Sequence, residues 1–209
     1  MSEVAAVMHA SAEPAESPLT PESWGKLGMW VFLAGDAMSF GGLLVGYGLL
    51  RHASTNWPLP SHVLGISLTA FMTFLLICSS VTMVKGLEAV RNNQRSVAKT
   101  YLLLTALGGL GFLGLQAYEW THLIHEGLKL WENPWGSSLF GTTFFMITGF
   151  HGMHVTGGVI YLLIMLSIVS RPSVALGHGW CYNVVEVAGL YWHFVDLIWI
   201  MVFTFIYLI

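Results

Sequence analysis

Residues Phe144–Gly158 read Phe-Phe-Met-Ile-Thr-Gly-Phe-His-Gly-Met-His-Val-Thr-Gly-Gly. The stretch sits inside an apolar run that continues on both sides, yet it carries two histidines, His151 and His154, set among Gly149, Gly152, Gly157 and Gly158. Residues three apart on a helix share a face. Small residues on that face let another helix approach closely. Histidine at membrane depth is costly and looks toward protein rather than lipid. The segment therefore predicts a packing seam with buried histidines, for which the rest of the chain must supply partners.

The composition fits a membrane setting. Of 209 residues, 55% are hydrophobic and only 9% are charged, against ~25% charged in soluble domains. Mean hydropathy is +0.68. This reads as a single integral membrane domain. No basic patch points to nucleic acid as a partner. Cys78 and Cys181 form no CxxC and suggest neither a disulfide framework nor a zinc site. No cleavable signal peptide is expected, because Met1–Ser23 is polar, Ala/Glu/Pro-rich and lacks an apolar core. Residues 1–26 read as a cytoplasmic disordered tail and residues 27–209 as the membrane domain.

Working outward from the histidines, five apolar segments reach the ~20 residues a spanning helix needs. They run Gly28–Leu50, His62–Val84 (extendable to Val90), Ala98–Leu123, Ser138–Val169 and Val184–Ile209. The expected fold is all-α, a transmembrane bundle of five helices. Five spans place Lys26, Lys85, Arg91, Arg95, Lys99 and Arg171 on one side and only Arg51 and Lys129 on the other. By the positive-inside rule the N-terminus is expected in the cytoplasm and the C-terminus outside. Trp24, Trp57, Trp131, Trp135 and Trp180 fall at predicted ends, as interfacial indoles do. Gly41, Gly42, Gly46 and Gly48 in the first span, and Gly108, Gly109, Gly111 and Gly114 in the third, predict close helix–helix contacts.

The polar residues within the spans are the candidate site. Asp36 lies ~12 Å into the first span at 1.5 Å per residue. It reads either as a neutral acid in a helix interface or as a proton-handling carboxyl. Glu119, His122 and Glu126 share a face at the end of the third span and predict a paired Glu/His packing site. Glu-x-x-His is half of a di-iron signature, and a second copy is absent from the sequence. His151 and His154 of the fourth span and His193 and Asp196 of the fifth fall at similar depth, so a His–Asp contact between those two spans is the economical expectation. Glu186 enters with the fifth span, facing solvent, a lipid headgroup or another subunit. Glu119, His122, His151, His154, His193 and Asp196 thus form an expected buried polar cluster with no catalytic role and no metal. A stand-alone membrane metalloenzyme built on the same histidines is the competing reading. On chemistry alone, Trp57, Trp135, Arg51, Arg91 and Arg171 are candidates for lipid headgroup contacts.

Three stretches carry a resemblance. Gln116-Ala117-Tyr118-Glu119-Trp120 resembles a Gln-x-x-Glu-Tyr/Trp element, and Phe150–Val155 with Gly157-Gly158 resembles a Gly-x-His-Gly-x-His-Val-x-x-Gly element. Tyr191-Trp192-His193-Phe194-Val195-Asp196 with Trp199 is similar to a Tyr-Trp-His-Phe-Val-Asp-x-x-Trp signature. All three belong to subunit III of the haem–copper cytochrome c oxidases, and the similarity spans Gly28–Ile209. Two departures stand out. The family usually has seven spans, and the first two are missing, as in a short bacterial form. The family's Ser-Glu is Gly35-Asp36 here.

The resemblance implies a V-shaped arrangement, with two helices in one arm and three in the other, and phospholipid in the cleft. It implies docking on subunit I of a respiratory terminal oxidase that reduces O2 to water and translocates protons in a bacterial inner membrane. Other oxidase subunits and a respiratory supercomplex would be further partners. Haem and copper would reside in partner subunits, with none bound by this chain. The implied role is to support proton uptake by subunit I and to stabilise it. The equivalent subunit of a quinol oxidase or nitric oxide reductase is the alternative.

Overall fold

The computed structural model describes residues 24–177 and 179–209. Five long helices are α1 (Trp24–Ala53), α2 (Ile66–Arg91), α3 (Arg95–His125), α4 (Ser138–Ser170) and α5 (Trp180–Val202). A single helical turn, Pro60–Val63, precedes α2, and a π-helical turn, Phe203–Leu208, extends α5. All five are long and apolar enough to cross a membrane. At 23 to 33 residues they measure roughly 35–50 Å, longer than a ~30 Å hydrocarbon core. The expected tail falls outside the described residues up to residue 23, and α1 is already helical at Trp24.

Successive helices pair as their short connections require. The broadest interface is α2 with α3, followed by α3 with α4, and α5 closes the group by touching both α4 and α2. α1 packs on this group from outside, against α5 and α4. It presents one narrow seam, Leu33, Phe40 and Tyr47, at seven-residue spacing. Gly41, Gly42, Gly46 and Gly48, expected to seat a neighbouring helix, instead face open space. The third-span glycines differ. A Cβ on Gly109 would stand 2.5 Å from the Trp192 ring, and one on Gly108 would stand 2.7 Å from the Ser79 Cβ. Gly158 of α4 has the same relation to Trp192, at 2.9 Å. Trp192 of α5 is therefore wedged between glycines of α3 and α4, and only hydrogen side chains leave room for it.

The ends are tied by specific bonds. The Arg95 guanidinium donates to the carbonyls of Val169 at 2.7 Å and Val174 at 2.6 Å, and to that of Arg171. It thereby caps the last turn of α4, whose carbonyls have no partner within the helix. At the other end, the Ser137 N–H donates to the Asn56 carbonyl at 2.9 Å and joins the α1–α2 and α3–α4 connections. There a Cβ on Gly136 (φ 149°) would stand 2.3 Å from the same Asn56 oxygen.

Candidate functional site

The predicted polar residues do not form one cluster. They divide into four separate arrangements, three of them joining different helices and one a single histidine.

The first joins α1 to α4. His154 Nε2 lies 3.2 Å from Asp36 Oδ2, and His154 Nδ1 lies 2.8 Å from the Phe150 carbonyl oxygen. A carbonyl only accepts, so Nδ1 carries a hydrogen. A hydrogen bond between Nε2 and Oδ2 then needs one further proton, carried by either the imidazole or the carboxyl. Without that proton, a carboxylate would face an imidazole lone pair. The side chains are 12% and 15% exposed, so solvent screens the pair weakly. Phe40 and Phe150 flank the imidazole, with centroids 5.2 Å and 4.7 Å away. The Tyr191 hydroxyl donates to the His154 carbonyl at 2.9 Å and ties α5 to the same turn. The His–Asp contact expected between the fourth and fifth spans is not made; His154 meets Asp36 of α1 instead. Asp36 lies on the α1 seam, between Leu33 and Phe40 and four residues before the latter, which turns its carboxyl toward α4.

The second joins α2, α3 and the C-terminal π turn. Glu119 is 4% exposed. Its Oε1 accepts from the Thr69 hydroxyl at 3.0 Å and its Oε2 from the Tyr207 hydroxyl at 2.9 Å. The π turn delivers Tyr207 to this position. Glu119 also lines a cavity of about 320 Å³ together with His122, Glu126 and Leu64. His122 does not pair with Glu119. It is exposed, and its Nδ1 lies 3.7 Å from Glu126 Oε1.

The third is His151 alone. It is fully buried, and neither ring nitrogen has a hydrogen-bond partner. Aromatic rings surround it: Trp199 at 4.8 Å, Phe112 at 5.6 Å and edge-on, and Phe40 at 6.3 Å. An N–H directed at a ring face is the remaining weak interaction open to it.

The fourth joins α5 to α2. His193 Nδ1 lies 3.2 Å from Ser80 Oγ, and Asp196 stands beside both residues. Ser79 accepts from the Trp192 indole and Thr73 from the Trp199 indole, each at 3.0 Å. Glu186, assigned no partner in the chain from sequence, lies 2.9 Å from Lys26 Nζ of α1.

The sequence reading missed Thr69, Thr73, Ser79, Ser80, Tyr191 and Tyr207. A signal was present on α2, where Thr69, Thr73 and Ser80 recur at helical spacing in an apolar helix and therefore face protein. Of the candidate headgroup residues, Arg91, Arg171 and Trp135 are exposed, and Arg51 and Trp57 are partly buried. Outside the spans, Lys129 Nζ lies 2.7 Å from Glu132 Oε2. This hydrogen bond and the lysine charge hold that carboxyl below its usual range. Among the described residues, no group of three His, Cys, Asp or Glu side chains could hold a metal ion.

Fold and site together define a multi-pass membrane protein whose internal polar groups join its helices to one another. The family model for cytochrome c oxidase subunit III matches residues 24–209. A protein named cytochrome c oxidase subunit 3 from a Synechocystis species is 38% identical over 186 residues, 87% of this chain and 74% of its own length. One of the same name from Bacillus sp. strain PS3 is 32% identical, over 87% of this chain and 84% of its own length. Quinol oxidase subunit 3 of Bacillus spizizenii is 31% identical, over 87% and 85%. The chain belongs to the cytochrome c oxidase subunit III family and is an accessory subunit of a haem–copper oxidase.

Proposed function

We propose that this chain docks on subunit I of a respiratory terminal oxidase and conditions proton delivery to it through Asp36 and His154. The observation that carries the reading is the 3.2 Å approach of His154 Nε2 to Asp36 Oδ2, which brings two side chains able to carry a proton into hydrogen-bond distance. Asp36 sits roughly 18 Å along α1 from Trp24, at 1.5 Å per residue. With the cytoplasmic N-terminus that the distribution of Lys and Arg favours, the pair is a proton-handling group reached from the cytoplasmic half of the membrane. Redox chemistry belongs to partner subunits, which hold the haem and copper. Glu119, His151, His193 and Asp196 serve packing within this chain. Phospholipid meets the chain at its exposed ends, with Arg91 and Arg171 on one side and Arg51, Trp57 and Trp135 on the other. The setting is a bacterial inner membrane.

A tagged chain purified from native membranes in mild detergent tests this, with a reduced-minus-oxidised spectrum as the readout. The expected result is an a-type haem signal in the complex that stays with the partners when they are stripped away. A chain that never co-migrates with haem, or that keeps the colour after its partners are removed, overturns the proposal. A second reading, a quinol oxidase subunit, has support from the Bacillus spizizenii relative. Turnover of the purified complex with quinol but not with reduced cytochrome c would select it.

A further inference from the structure

Asp36 and His154 meet across α1 and α4, yet α1 has its broader interface with α5. Lys26 of α1 lies 2.9 Å from Glu186 of α5 near the N-terminal ends of both helices. Deeper in the span, Phe32 of α1 lies against Tyr191 of α5, with ring centroids 6.2 Å apart and planes tilted by 33°. Phe32 precedes Asp36 by four residues and shares its side of the helix. The height at which α1 offers its carboxyl is therefore set largely against α5.

The imidazole side is tied to the same tyrosine. The Tyr191 hydroxyl donates to the His154 backbone carbonyl at 2.9 Å. That carbonyl lies inside α4, where it accepts from the next turn, and its second lone pair takes the phenol. Two glycines make the approach possible. A Cβ on Gly158 would stand 3.2 Å from Tyr191 Cε1, and one on Gly157 would stand 3.6 Å from the hydroxyl oxygen. Larger side chains there would hold the phenol away from α4. Tyr191 is buried, and no water at membrane depth replaces a lost bond.

We propose that Tyr191 is the positioning residue of the Asp36–His154 pair, acting through its ring on the α1 side and through its hydroxyl on the α4 side. Its role rests on the reading of that pair as proton-handling and extends the site to a third helix. Tyr191 bonds the backbone of His154 and not its imidazole, so its part is geometric. It sets the separation of Nε2 and Oδ2. That separation, 3.2 Å, is at the long end for a hydrogen bond, so a small displacement opens it. The imidazole cannot follow by swinging, because its Nδ1 is held by the Phe150 carbonyl at 2.8 Å and Phe40 and Phe150 flank the ring. The turn of α4 that carries His154 must itself stay in place, and the Tyr191 hydroxyl is what α5 supplies to keep it there.

The test uses the full chain in detergent, labelled with ¹⁵N-histidine, with the His154 ring signals assigned by their loss in His154→Gln. Asp36→Asn, which removes the partner's charge, is expected to displace the Nε2 signal and so marks the unpaired position. Tyr191→Phe, which keeps the ring against Phe32, is expected to displace it part of the way there. Tyr191→Leu, which removes the ring contact as well, is expected to displace it further. The exposed His122 of α3 should keep its signals throughout. A Nε2 signal at the wild-type position in both Tyr191 variants would overturn the proposal. A displacement shared equally by His122 would report general loosening and overturn a specific positioning role. The proton-handling reading fails separately. A displaced signal in Tyr191→Phe, together with undiminished proton uptake by an assembled oxidase carrying Asp36→Ala, would keep the positioning role and remove that reading alone.

Discussion

Asp36 and Glu119 are both carboxyls drawn into membrane-spanning helices, and they are held in opposite ways. Glu119 accepts from two hydroxyls, Thr69 and Tyr207. Its partners come from the interior of the helix group, and it is 4% exposed. Asp36 faces His154, whose imidazole can carry a proton, across the α1–α4 interface of the least enclosed helix. Hydroxyl donors fix a carboxyl in place, whereas an imidazole shares a proton with it. In the proposed function the first arrangement serves cohesion and the second handles protons. Both acids look alike in the sequence, so the partner decides the role.

The contrast can be broken most severely at Glu119. Glu119→Ala strands the Thr69 and Tyr207 hydroxyls in a buried site and is expected to destabilise the chain by about 3 kcal/mol, whereas Tyr207→Phe, removing one bond, should cost about 1 kcal/mol. Denaturation midpoints in detergent would show whether the two rank in that order. If Glu119→Ala were neutral, the site would not be a cohesive element.

At Asp36 the expected effect lies in function more than in folding. Asp36→Ala should slow proton uptake by the assembled oxidase or shorten its working life, with the haem spectrum unchanged. His154→Leu should lower retention of the subunit in the complex, because it also loosens the α1–α4 contact. Proton-uptake rates and subunit stoichiometry after purification test the two substitutions. Full activity and lifetime in Asp36→Ala would remove the proton-handling role. A shifted haem spectrum with the subunit still retained in His154→Leu would show that more than packing is at stake there.

The smallest effect is expected at the exposed Lys129–Glu132 pair. Lysine lowers the carboxyl's pKa in the folded state. A lowered carboxyl contributes stability above its unfolded pKa, and that contribution is lost as pH falls through the folded value. Both side chains are more than half exposed, so water screens most of it. Lys129→Ala should leave the midpoint at neutral pH nearly unchanged and slightly flatten its acid-side slope. A large drop would mean that the α3–α4 connection depends on the pair.

The five spans were legible in the sequence because their cause is local: about 20 consecutive apolar residues must satisfy their backbone bonds within a helix. The expected and observed limits differ by a few residues, mainly because Trp24, Arg91, Arg95 and Trp180 extend helices beyond the apolar core. The seam around Gly109, Gly158 and Trp192 was half legible. The glycines announced close contact, but which glycines would have neighbours depended on helix placement, and those of α1 have none.

The pairings were not legible. Asp36 and Asp196 both lie at a depth that could meet His154, and nothing along the chain ranks one above the other. Tertiary structure chose Asp36, because α1 lies against α4 with its Leu33–Tyr47 seam inward. It also brought Tyr207 to Glu119 through a π turn at the end of α5. Apolar length and spacing act within one helix and can be read along it. A hydrogen bond between helices depends on their neighbours, rotations and relative heights, which only the packed bundle fixes.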